Sequence, residues 1–184
     1  MRTLSVALGL TAVAVAVTPA SSSVLSLNKS LATTCLESAR EHRRDWQAIE
    51  ECDLALSEEL MTREVRVATL VNRGILRMRQ GDVRNATGDF NRAIALEPLE
   101  PETWLHLGLA QLDAGNGSAA AQYADRALEL RTRQPAVAFY VRGLAHEMSG
   151  DVESAYADLV RARGLAPGWK EPARELTRYQ VVRR

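Results

Sequence analysis

The sequence of 184 residues is poor in aromatic side chains, which make up 5%, and it holds only six prolines and eleven glycines. Large β-sandwiches and barrels use more aromatic, β-branched and turn residues, so the shortage points to helix. Charge of one sign is also missing: Lys plus Arg and Asp plus Glu both total 23. A balanced surface exerts no sequence-independent pull on nucleic acid or on anionic lipid, so neither is expected as a partner. Histidine is scarce, and His42, His106 and His146 share no ligand spacing, so no metal site is expected.

The residues of catalysis are absent as sets. No phosphate-binding Gly loop and no G-x-S-x-G elbow occurs. Ser26-Leu27-Asn28-Lys29 has the S-x-x-K spacing of a serine acylation site, but no S-D-N or K-T-G companion follows. His146-Glu147 opens like a zinc-protease helix, yet Gly150 stands where the second His must be. No catalytic residue and no cofactor is expected, and the chain reads as a non-enzyme.

What is present begins with a separate leader. Met1-Arg2 gives a short positive start, Leu4 to Val17 runs without charge, and Thr18-Pro19-Ala20 places a breaker and small residues before Ser21. This is the three-part pattern of a secretory signal peptide, expected over residues 1–20 with cleavage near Ala20. The apolar core falls short of the roughly 20 residues that cross a bilayer, so no stable membrane anchor is expected. The mature chain is then periplasmic or secreted, with residues 21–28 as a flexible leader.

The rest repeats. Val67 begins a segment with Leu70, Gly74, Gly81-Asp82, Ala86, Phe90, Ala93 and Pro98; Trp104, Gly108, Gly115, Ala120 and Ala127 follow at matching offsets. A third copy carries Phe139, Gly143, Gly150-Asp151, Ala155, Leu159, Ala162 and Pro167, so the copies are spaced by 34 and 35 residues. Each holds two amphipathic stretches split by a Gly breaker, and such helices bury their apolar faces only by stacking on neighbours.

These positions resemble the tetratricopeptide repeat family, whose pattern has a bulky residue at position 4, Gly or Ala at 8, small at 20, bulky at 24, Ala at 27 and Pro at 32. Ala124 departs from it at position 24 and Thr132 at the proline position. The resemblance implies an all-α, right-handed α-solenoid of helix-turn-helix units: a degenerate repeat over 29–66, repeats over 67–100, 101–135 and 136–169, and a polar C-terminal capping helix over 170–184. The degenerate copy rests on Trp46, Ala48, Cys52 and Ala55, lacks the Gly turn, and is followed by four extra residues before Val67.

On that alignment Cys35 and Cys52 fall at inward-facing positions 7 and 24 of antiparallel helices, close enough for a disulfide; free thiols are the alternative. The family's concave groove is lined by the first helix of each repeat. The carried-over positions are Val71, Asn72, Ile75 and Arg79, then Leu105, His106 and Leu109, then Tyr140, Val141 and Leu144. So apolar a wall is expected to be covered by a protein or peptide partner, or by the cap and curvature of the chain itself. Glu102 and His106 stand where a clamp for acidic peptide ends needs Lys or Arg. The implied function is an interaction scaffold or adaptor; the alternative is a self-associating or fixed subunit of a cell-envelope assembly. Residues 37–59 hold eight acids against three Arg and residues 63–92 seven Arg against three acids, so adjacent units of opposite sign are expected to attract.

Overall fold

The computed structural model describes residues 29–179, so the expected signal peptide and leader lie outside the described residues. Those residues form α1 (Leu31–Arg40), α2 (Trp46–Glu58), α3 (Arg63–Arg79), α4 (Val83–Leu96), α5 (Pro101–Asp113), α6 (Gly117–Glu129), α7 (Pro135–Met148), α8 (Val152–Leu165) and α9 (Lys170–Leu176), with no strand among them. Consecutive helices pack as antiparallel pairs, and α1, α3, α5 and α7 also touch one another in order. The architecture is an α-solenoid of four hairpins closed by a short helix.

Local chemistry starts all of these helices but α6 and α9. The side chains of Ser30, Asp45, Thr62, Asp82 and Asp151 accept a hydrogen bond from the backbone N–H three residues on, satisfying donors that the first turn leaves open. Pro101 and Pro135, which lack an N–H, open α5 and α7. The cap at Thr62 corrects the expected repeat boundary. It starts α3 at Arg63, so the four extra residues before Val67 form an added helical turn.

One turn design is used between first and second helix in every hairpin. Gly81, Gly115 and Gly150 have φ of +81°, +78° and +81°, and the next residue's N–H bonds back to Arg77, Gln111 and His146 at 2.9, 2.8 and 3.0 Å. In the first hairpin His42 takes that place at φ 59°, with Arg43 N–H on the Ser38 carbonyl at 3.2 Å. A missing glycine therefore did not remove the turn; it placed a side chain where the left-handed conformation costs about 1–2 kcal/mol. Arg131 (φ 61°) closes α6 in the same way, with Thr132 N–H on Ala127 O at 2.9 Å, which is why no proline is needed there.

The contact between the two helices of a hairpin is made by different chemistries; Cys52 of the first stands at the position of Phe90, while Asp89, Tyr123 and Asp158 share the position before it. In the first, Cys35 and Cys52, both fully buried, are joined as a disulfide. In the second, Arg73 donates from Nε and Nη2 to Asp89 at 2.9 and 2.6 Å and from Nη1 to Asp53 of the preceding hairpin at 2.6 Å. The fourth repeats this: Arg142 grips Asp158 at 2.7 Å twice and reaches Asp125 of the preceding hairpin. The third has Leu107 and Tyr123 instead, in one apolar cluster with Phe90 and Ala110. Thus the opposite charge of the first two hairpins is realised in Arg73 and Arg77, which meet Asp53 at 2.6 and 3.5 Å.

Close approach uses the small positions unevenly. A Cβ on Gly74 would lie 2.5 Å from the Phe90 ring, whereas one on Gly108 would meet nothing nearer than 3.4 Å, because Ala124 replaces the aromatic. The α5–α6–α7 interface is accordingly built on Ala120, Ala124, Ala127, Ala138 and Ala145, with Leu105 and Val141 inserted among them.

The cap is shorter than expected. α9 ends at Leu176, where the Thr177 hydroxyl bonds the Arg174 carbonyl at 2.7 Å and the chain tightens into short-range turns; residues 180–184 lie outside the described residues. Pro172 is buried, Trp169 packs on Tyr140 with centroids 4.8 Å apart, and Arg178 pairs with Glu147 at 2.7 Å.

Candidate interaction groove

The inner helices leave one large cleft, of about 640 Å³, walled by α1, α3, α5 and the start of α7. Val67, Ala68, Val71, Asn72 and Ile75 recur at helical spacing along one face of α3 and form its centre. Leu36 and Arg40, one turn apart, give the α1 wall, and Thr103 and His106 the α5 wall. Glu64, Glu97, Glu100, Glu102, Arg133 and Gln134 complete the lining.

The polar groups are unevenly satisfied. Glu102 accepts from the Arg133 backbone N–H at 2.7 Å, from the Thr132 hydroxyl at 3.2 Å, and pairs with Arg133 Nε at 3.1 Å. Burial pushes its carboxyl up, but the Arg133 bonds outweigh that and hold it down at about 2. Burial, and then the neighbouring Glu102, raise Glu100 instead. His106 stacks on Phe90 with centroids 5.8 Å apart, and its burial lowers the imidazole to about 4, so the ring is neutral near pH 7. The Thr103 hydroxyl is fully buried and has no hydrogen-bond partner among the described residues.

Of the residues expected in a groove, Val71, Asn72, Ile75 and His106 meet in this cleft. Two others do not face it: Leu105 and Val141 are fully buried. The physical reason is the alanine-built α5–α6–α7 interface, which leaves room that these two side chains fill. Leu109 packs half-buried against the same cluster. Arg79 lies outside the cleft lining and donates to the Ala39 carbonyl at 2.6 Å, tying α3 to α1. Tyr140 sits under Trp169, and Leu144 lines a separate hollow of about 380 Å³ with Leu112, Glu147, Met148 and Arg178. The cleft is therefore open over the first three hairpins, while α9 packs on α8 and its flanking residues Trp169 and Arg178 reach Tyr140 and Glu147 of α7.

Sequence reasoning missed Leu36 and Arg40, because groove positions were carried over to the three clear repeats and not to the degenerate first one. It also missed Glu64, which lies on the added turn of α3, and the loop residues Glu97 and Glu100, since only helical positions were carried over. No helix of the described residues is long and apolar enough to cross a membrane, and none of their His, Cys, Asp and Glu form a group that could hold a metal ion.

Residues 71–136 match the family model described as tetratricopeptide repeat. A curated rat (Rattus norvegicus) protein, FK506-binding protein-like, is 34% identical over 161 residues, covering 82% of this chain and 43% of its own length. The chain thus spans less than half of that relative. Among solved structures, the second TPR domain of human RPAP3, in complex with the HSP70 peptide SGPTIEEVD, has a TM-score of 0.59 at 22% identity, covering 64% of this chain and 97% of that one. PilW, a type IV pilus biogenesis factor, has a TM-score of 0.66 at 18% identity, covering 80% and 66%. MamA from Desulfovibrio magneticus RS-1 has a TM-score of 0.64 at 18% identity, covering 80% and 82%. These structural likenesses establish the fold, a tetratricopeptide-repeat solenoid.

Proposed function

We propose that this tetratricopeptide-repeat chain is a non-enzymatic interaction scaffold that holds a segment of a partner protein in the cleft between α1, α3 and α5. The observation that carries the reading is the open apolar face of α3, where Ala68, Val71 and Ile75 line a cleft of about 640 Å³. A concave, mostly apolar cleft with a few convergent polar groups is the form of a binding site. The peptide held by the similar RPAP3 domain supports the same use of the fold.

We propose further that the chain is exported by its N-terminal signal sequence. The Cys35–Cys52 disulfide supports this, since such bonds persist in oxidising compartments and are rare in the cytosol. Loss of about twenty N-terminal residues from protein recovered outside the cytosol, measured by intact mass, is the expected result.

The scaffold reading is tested with a photocrosslinking amino acid at Ala68, in the cleft, and at Arg92, on the outer face. The expected result is linkage from Ala68 alone to one contiguous segment of one partner. Linkage from Ala68 to further copies of the chain itself would instead favour the self-assembling reading.

A further inference from the structure

The cleft has a charge pattern that says what kind of segment it selects. Four carboxylates line it against two guanidinium groups, those of Arg40 and Arg133. Two of the four are already neutralised: Glu97 pairs with Arg63 at 3.1 Å, and Glu102 with Arg133 at 3.1 Å. Glu64 has no ion-pair partner among the described residues, and Glu100 reaches only Arg133, at 3.7 Å, which already serves Glu102. Both lie at helix starts on adjoining walls, Glu64 in the first turn of α3 and Glu100 as the residue before α5. Arg40 stands apart from them, in the last turn of α1.

On the α5 wall of the same cleft lies a polar group that the protein leaves unused. The Thr103 hydroxyl is buried at the cleft wall with neither donor nor acceptor to bond. A buried hydroxyl without a partner costs about 1–3 kcal/mol, and an extended backbone laid across it carries the N–H and C=O groups that satisfy it.

Resting on the reading of the cleft as a partner-segment site, we propose that its occupant is an extended apolar segment carrying Lys or Arg at one end, seated with that cation between Glu64 and Glu100. Apolar side chains of the segment cover Val71 and Ile75, and its backbone reaches Thr103. An acid-ended segment would bring like charge to the two uncompensated carboxylates. Such juxtaposition is how charged sites reject wrong partners.

The test uses immobilised full-length mature protein and two nine-residue synthetic peptide pools, identical in their randomised Leu, Val, Ser and Ala positions. One pool has Lys or Arg at its terminal two positions, the other Asp or Glu. Retention is read by mass spectrometry at low and at high salt, for the parent, for Glu64→Gln/Glu100→Gln, and for Ala68→Trp, which fills the cleft from an exposed position without adding charge. The expected result is about a tenfold excess of cationic over acidic peptides at low salt, reduced at high salt and lost in the double Gln variant, with retention abolished by Ala68→Trp. Peptides retained with no cationic preference, yet displaced by Ala68→Trp, would overturn the charge assignment while leaving the cleft as the site. Retention indifferent to Ala68→Trp would overturn both. Circular dichroism of each variant shows that the helices are intact.

Discussion

The α3–α4 and α5–α6 hairpins follow one backbone path and are held in different ways. In α3–α4 a glycine meets a phenylalanine ring face on and a buried arginine is gripped by two aspartates. In α5–α6 the ring is Ala124, and Leu107 and Tyr123 replace Arg73 and Asp89. The comparison shows that these positions work as pairs. Where the aromatic is lost, its glycine partner is relieved, and where the charge is lost its counter-ion is lost with it. The fold asks for filled volume and satisfied polar groups at that place, and leaves the chemistry free.

The sharpest break of this comparison is to remove one member of a pair. Asp89→Ala strands Arg73 and Arg77 in the interior, leaving only the half-exposed Asp53. A loss of about 3 kcal/mol is expected in urea unfolding, near the lower end for a broken buried ion pair. The double change Arg73→Leu/Asp89→Tyr, which copies the third hairpin, should stay within about 1 kcal/mol of the parent. A single variant no worse than the double would show that the pairing is not what holds the hairpin.

Next in size is the glycine contrast. Gly74→Ala is expected to cost about 1–3 kcal/mol, as its Cβ drives into Phe90. Gly108→Ala should stabilise by up to about 1 kcal/mol, since it adds helix propensity where a Cβ makes only ordinary van der Waals contact. Equal effects on melting temperature would dissolve the distinction between the hairpins.

Smaller again is the turn substitution. Arg131→Gly and His42→Gly give the left-handed positions the residue used at Gly81, Gly115 and Gly150, so each should gain about 1 kcal/mol. A destabilised His42→Gly would mean that the bond between its Nδ1 and the Arg40 carbonyl, at 2.7 Å, matters more than the backbone strain.

The smallest effect is a pH dependence at the α5–α7 contact. Because Arg133 holds Glu102 near 2 in the folded chain, against an ordinary value of 4.5, that pair's contribution is complete above pH 4.5 and fades as pH falls towards 2. Arg133 is 80% exposed, so solvent screens the pair and keeps this effect the smallest of the set. The stability gap between the parent and Glu102→Gln should therefore shrink between pH 4.5 and 2.

The features legible in the sequence were those with one physical solution. A chain that must turn sharply after a helix needs a left-handed residue, so Gly81, Gly115 and Gly150 announced the turns and the repeat step. Two cysteines in antiparallel inward positions announced their pairing. Less legible were features with several solutions. The Arg73–Asp89 and Arg142–Asp158 grips were visible only as charges 16 residues apart in alternate copies, because the intervening copy uses Leu107 and Tyr123. Leu105 and Val141 looked like groove residues, since position along a helix does not reveal that alanines on the neighbouring helices draw them inward. The acidic side of the cleft depends on loop residues and on a helix start set by Thr62, neither of which has a repeat offset.

The disulfide also gives the molecule a direction. A stack whose units touch only their neighbours comes apart from its ends, where a unit has one interface to lose instead of two. At one end α1 and α2 are covalently joined, and Arg73 and Arg77 fasten them to the next hairpin through Asp53. At the other, α9 is seven residues long, against thirteen or fourteen in each of the four helices before it. Among the described residues the cleft therefore lies towards the covalently fastened hairpin and away from the short α9. Reduction would remove the covalent tie behind the α1 wall, so the cleft is the part of the molecule whose shape depends most directly on that bond.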